Sequence, residues 1–212
     1  MFNTLADSRQ HNLRLAYRVS VRLGSALTLG SYCFANSGPA VAHSTGALGG
    51  FSSGFQHPVL GPDHLLAMMA VGIWGAQMGG RSIWELPVAF PMMMAVGGLI
   101  GMSGVYVPHV ELGIAISVLV LGASIAFAWR PLEIVSLAII AAFAFFHGYA
   151  HGVELPAAAD PAAYAAGFVI ATGLIHVVGI GIGLLTGRFA KGRLSRGLGA
   201  AVACVGVYFL VM

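Results

Sequence analysis

Two short runs concentrate the side chains able to do chemistry. In Phe146-His147-Gly148-Tyr149-Ala150-His151-Gly152-Val153-Glu154 the imidazoles and the carboxylate are spaced by four and three residues. On a helix that spacing puts all of them on one face, an arrangement that presents several ligands to one ion. The run is not His-Glu-x-x-His, because no glutamate follows the first histidine, so the zinc-protease pattern with its adjacent general base is disfavoured. Histidines near a membrane interface also snorkel to headgroups, and the spacing alone leaves that alternative open.

The second run is His57-Pro58-x-x-Gly61-Pro62-Asp63-His64, followed by Leu65-Leu66-Ala67-Met68. Pro62 suits the first turn of a helix and Asp63 complements its positive end, while His64 and Met68 follow one turn apart on a single face. A capped helix start explains Pro62 and Asp63 but leaves His57 and His64 without a role; metal ligation gives both one. His57 lies upstream of the proline break, from where it can fold back. Glu111 follows Pro108-His109 at the start of another apolar stretch, as a ligand or as a helix-dipole partner. His176, with Thr172 one turn away, falls in mid-bilayer, on a permeation path or bonded to a neighbouring helix. His43, Met68 and His109 are auxiliary metal candidates. Met92, Met93, Met94 and Met102 read as packing rather than a copper ladder, and Arg81 with Glu85 as a surface pair of little energetic value.

The elements that must position these groups are membrane spans. Of 212 residues, 58% are hydrophobic and 8% charged, and the mean hydropathy is +0.88. Soluble domains carry about a quarter charged residues, so this chain cannot cover a water-facing surface. Its 30 glycines lie among Leu, Val, Ala and Met, as in packed membrane helices, which excludes low-complexity disorder. Apolar stretches run over roughly 63–79, 86–107, 110–129, 132–151, 162–187 and 193–211, each near the 20 or so residues a span needs. The expected fold is all-α, a polytopic six-transmembrane-helix bundle. Gly46, Gly50 and Gly54 share one helical face, as do Gly179, Gly183 and Gly187, which predicts close helix contacts.

Arg9, Arg14, Arg18 and Arg22 precede a modest apolar stretch, 23–34, and then Ala40-Val41-Ala42, the small-x-small pattern of a cleaved export signal. An uncleaved anchor is the alternative. Cleavage divides the chain into a signal peptide, 1–42, and a permease domain, 43–212, and removes Cys33, leaving Cys204 alone with no intramolecular disulfide. The remaining cations are Arg81, Arg130, Arg188, Lys191, Arg193 and Arg196. They fall in alternate loops, so the positive-inside rule puts those loops in the cytoplasm. It puts the mature N-terminus outside, with His43, His57, Asp63, His64, His109, Glu111, His147, His151 and Glu154 at or near outer helix ends. No dense basic patch interleaved with aromatics and no nucleotide-binding motif is present, so neither nucleic acid nor nucleotide is an expected partner.

At these residues the chain resembles the HupE/UreJ family, bacterial inner-membrane proteins associated with hydrogenase and urease clusters and regarded as nickel permeases. The resemblance rests on His57-Pro58-x-x-Gly61-x-Asp63-His64-Leu65-Leu66-Ala67-Met68-x-x-Val71-Gly72-x-Trp74, on the acid Glu111, and on His147-Gly148-x-x-His151-Gly152-x-Glu154. It implies that His57, Asp63, His64, Glu111, His147, His151 and Glu154 handle metal, and that the chain is a non-enzymatic permease of the inner membrane. The expected cargo is a divalent transition metal, most of all Ni²⁺, with Co²⁺, Zn²⁺ and copper as alternatives, moved from periplasm to cytoplasm with no permanently bound cofactor. The histidine-rich tract that some relatives carry after cleavage is absent beyond His43. The rivals are an intramembrane metalloenzyme and a metal-binding or sensing subunit that transports nothing. Oligomeric state is not legible.

Overall fold

A computed structural model describes residues 47–155, 160–189 and 192–212. Within them the chain is entirely helical: α1 (Ala47–Leu60), α2 (Pro62–Met78), α3 (Ser82–Met102), α4 (Val110–Ala126), α5 (Glu133–Val153), α6 (Pro161–Arg188) and α7 (Arg193–Val211). The signal-peptide residues 1–42 and His43 lie outside the described residues. Four helices, α3, α5, α6 and α7, are long and apolar enough to cross a membrane, and α1 with α2 passes the same test as a pair bent by 77°. α4 is apolar but has 17 residues. The protein is thus a helical membrane protein.

The bend follows from local sequence. Gly61 takes an extended conformation (φ −80°, ψ 108°) before Pro62 at the first helical turn, where proline's missing N–H costs nothing. The Gly61 N–H still donates to His57 C=O (3.1 Å), and its own C=O accepts from Leu65 N–H (2.8 Å). His57 is thereby held over the start of α2 rather than carried away from it. α3 departs from the expected 86–107: it begins at Ser82, continuing through Pro87 and Pro91, and ends at Met102, just before Gly104 at φ +77°.

Packing runs through backbone-close helix pairs. α3 and α5 are set against each other by reciprocal glycines: a Cβ on Gly97 or Gly101 would strike the backbone of Phe145 or Tyr149, and one on Gly148 or Gly152 that of Met94 or Gly98. The expected glycine faces hold in part. Gly50 and Gly54 meet Asp160 and Tyr164 of the α6 start, Gly46 lies outside the described residues, and Gly179 and Gly183 meet α2, but Gly187 faces open space. Small residues serve here because lipid supplies no hydrophobic drive between helices, so contact area must come from close approach. Gly97→Ala is accordingly expected to destabilise the protein by about 1–3 kcal/mol, the usual cost of overpacking, seen as a lowered thermal midpoint in detergent. Gly181→Ala, which meets nothing within 4 Å, is the matched control and should leave the midpoint unchanged.

Loops and termini are tied down with few polar contacts. The Tyr149 hydroxyl donates to Val105 C=O (2.8 Å) and accepts from Val107 N–H (3.2 Å), holding the α3–α4 connection against α5. Asp160 caps α6 by accepting from Ala162 and Ala163 N–H. At the other end of the bundle, Trp74 Nε1–H donates to Trp129 C=O, Gln77 to Ile125 C=O and Arg196 to Ala126 C=O. These donors satisfy carbonyls at and just beyond the C-terminal end of α4, the partially negative end that favours Arg196. Arg81, Arg130, Arg188 and Arg193 also sit at the helix ends of this side. Arg81 pairs with Glu85 at 2.7 Å with its own side chain 82% exposed, as the sequence led us to expect. Met94 is buried in the core while Met92 and Met102 are exposed, which suits packing and lipid contact rather than a ladder. Cys204 is free and exposed.

Candidate functional site

Opposite the arginines, the ends of α1, α2, α5 and α6 converge on four imidazoles. His57 comes from the last turn of α1, His64 from the first turn of α2, and His147 and His151 from successive turns of α5. Ring centroids lie 4.6 Å apart for His57 and His151, 4.3 Å for His151 and His64, and 4.6 Å for His64 and His147. Ligand atoms of His57, His151 and Glu154 all fall within 4.8 Å of one another, and His57 Nε2 is 3.8 Å from a Glu154 carboxylate oxygen. The group is graded in depth. The Glu154 side chain is 57% exposed and that of His57 32%, whereas His64 and His151 are buried and His147 is fully buried.

Hydrogen bonding fixes which nitrogens are available. Asp63 Oδ1 accepts from the His64 backbone N–H and lies 2.9 Å from His64 Nδ1. A carboxylate only accepts, so Nδ1 carries the proton and Nε2 keeps its lone pair. That Nε2 is buried with no partner. His147 Nε2 is 2.8 Å from Ser117 Oγ, and Ser117 Oγ in turn is 2.6 Å from Ile114 C=O. The hydroxyl has one proton and the carbonyl can only accept, so Ser117 donates to Ile114 and His147 Nε2–H donates to Ser117. His147 Nδ1 is then the free lone pair, also buried and unpartnered, as are both nitrogens of His151. Buried polar atoms are ordinarily bonded, and each exception needs an explanation. Three neighbouring imidazoles carry buried, unpartnered nitrogens, and two of them have an oxygen partner on the opposite nitrogen, as metal-ligating histidines do. Glu154, just past the end of α5, has its carboxyl pushed above the ordinary value chiefly by burial, with His64 opposing and the smaller contributions of Glu111 and Asp63 adding to the rise; a cation would relieve it.

The structure does not bring every candidate together. Glu111, in the first turn of α4, is exposed and lies outside the ligand group, though its charge reaches Glu154. His109 is the left-handed residue before α4 (φ 58°), exposed and outside the group as well. Met68 is fully buried in the apolar core one turn inward of His64, where packing accounts for it. Thr172 and His176 are buried on α6, deeper than the cluster. Sequence reasoning missed Ser117, and it missed the aromatic wall made by Phe168, 4.4 Å from the His151 ring, and Tyr164, 6.0 Å from that of His57. Only the four-residue spacing of Tyr164 and Phe168 offered a signal.

The HupE / UreJ protein family model matches residues 31–209. The chain belongs to that family. Protein HupE of Rhizobium leguminosarum bv. viciae is 41% identical over 177 residues, which is 82% of this chain and 92% of the relative. No solved structure matches. Family membership extends over all the described helices up to the last turn of α7, so the histidine cluster belongs to the HupE/UreJ portion of the chain. Were the cluster to hold a divalent cation, Ser117→Ala, which leaves the His147 tautomer undirected, should weaken that binding about tenfold or more, the usual cost of losing such an outer partner. Calorimetric titration of the purified protein checks this.

Proposed function

We propose that this protein is an inner-membrane permease that carries a divalent first-row metal, Ni²⁺ first among them, from the periplasm to the cytoplasm for metalloenzyme maturation. One observation carries the reading: four imidazoles and a carboxylate graded from exposed to fully buried, three of the imidazoles with buried unpartnered nitrogens, at the end of a bundle of apolar helices. Membership of the HupE / UreJ family, whose members are regarded as nickel permeases, supports it. Imidazole and carboxylate suit nickel, cobalt and zinc, and the absence of thiolate from the cluster disfavours soft-metal selection. A metal landing on Glu154, His57 and His151 exchanges onto His64 and His147 through the shared His151. Movement of two positive charges inward gains about 4.6 kcal/mol per 100 mV of membrane potential, so no nucleotide is required.

In this reading the first 42 residues are removed on export and residues 43–212 form the permease, with six spans counted as the bent α1–α2 pair and α3 to α7. Arg81, Arg130 and the group around Arg193 then lie in the cytoplasm. Reporter fusions after Gly80 and after Ala158 should report opposite compartments; the same compartment for both would contradict the orientation. The function itself is tested in liposomes containing the purified protein and an entrapped nickel-sensitive dye. With an inside-negative potential, nickel should enter faster than into protein-free liposomes, and the His64→Ala protein should not support entry. Saturable binding without entry would make the protein a metal-binding or sensing subunit. Hydrolytic activity lost with His147→Ala would instead favour a metalloenzyme.

A further inference from the structure

Tyr164, Phe168, Thr172 and His176 follow at intervals of four along α6 and are all buried, so they form one stripe facing into the bundle. The stripe starts at the histidine cluster, where Phe168 lies against His151 and Tyr164 against His57. With a rise of about 1.5 Å per residue, His176 sits about 12 Å further along the helix than Phe168. Phe90 of α3, itself fully buried, connects the two levels: its ring centroid is 5.7 Å from that of His147 and 5.4 Å from that of His176.

The inner level has unsatisfied chemistry of its own. Both ring nitrogens of His176 and the Oγ1 of Thr172 are buried with no hydrogen-bond partner. A histidine kept for helix packing would bond a neighbouring helix, because an unpartnered polar group in a membrane interior is costly. Here it bonds none, and its flank toward the histidine cluster is closed by an aromatic ring.

We infer that Thr172 and His176 form a second, inner station for the divalent cation, with Phe90 as the apolar barrier between it and the outer histidines. The inference rests on the permease reading above. One imidazole and one hydroxyl hold a cation weakly, with water completing its coordination, and weak binding is what a transit station needs if the ion is to leave. Held on Nδ1 of His147, the ion passes when the Phe90 ring swings aside.

The test uses purified protein, titrated with nickel and reconstituted in liposomes. His176→Leu should bind nickel at the outer cluster within about twofold of the unaltered protein yet take it up at least about tenfold more slowly, since the variant removes an imidazole from the path only. His176→Cys decides the matter if the leucine protein fails to insert. Because thiolate prefers softer ions, its cadmium-to-nickel uptake ratio should rise about tenfold or more. Nickel uptake by His176→Leu at the unaltered rate, or an unchanged ratio in His176→Cys, overturns the inner station while leaving the permease standing. No uptake by the unaltered protein removes the permease reading and the station with it.

Discussion

Replacing His64 or His147 by Ala is expected to weaken nickel binding by more than the roughly 10- to 100-fold that follows removal of an outer partner. Each supplies a buried lone pair with no partner inside the protein, and each is flanked by another imidazole at under 5 Å between centroids. Removing either ring therefore breaks the buried inner pair and leaves the ion to His57, His151 and Glu154, of which His57 and Glu154 are partly open to water. His109→Ala is the control: His109 is exposed and outside the group, and its loss should leave binding unchanged. Calorimetry on protein purified from equal amounts of membrane-inserted material makes the comparison.

The second large effect concerns Asp63. Its carboxylate orients His64 through Nδ1 and adds negative charge beside the place a dication would occupy. Asp63→Ala removes both contributions and should weaken nickel binding by about 10- to 100-fold. Asp63→Asn keeps an oxygen able to accept from Nδ1–H but not the charge, and its defect should be the smaller of the two. Equal affinities for the alanine variant and the unaltered protein would show that the pair serves only to start α2.

The main cluster was legible because its geometry is local. His147, His151 and Glu154 are related by helical spacing, and Pro62-Asp63-His64 announces a helix start, so neither needed tertiary information. His57 could be placed only as a residue able to fold back; the 77° bend at Gly61 supplies the rest. What stayed hidden depends on how helices rotate against one another. Nothing in the sequence marks Ser117 as facing His147 rather than lipid, or Phe90 as touching two histidines. The same ignorance of rotation put Glu111 among the ligand candidates and His109 among the auxiliary ones, since all lie at the same helix ends. The α3 boundary was misplaced for another reason: the apolar run starts at Leu86 and reaches Val107, whereas the helix begins at Ser82 with the polar residues of its first turn and ends at Met102, before Gly104 turns left-handed. The reciprocal pairing of Gly97 and Gly101 with Gly148 and Gly152 is likewise a property of two segments together, visible in neither alone.

X-ray absorption at the nickel edge of the metal-loaded, purified protein tests the central claim most directly. The account predicts a first shell of nitrogen and oxygen with the multiple-scattering signature of several imidazoles, diminished in His57→Ala and in the His64→Ala, His147→Ala double variant, and lost when all four cluster histidines are replaced. A shell of oxygen alone, or an imidazole signature that survives replacement of all four, would contradict it.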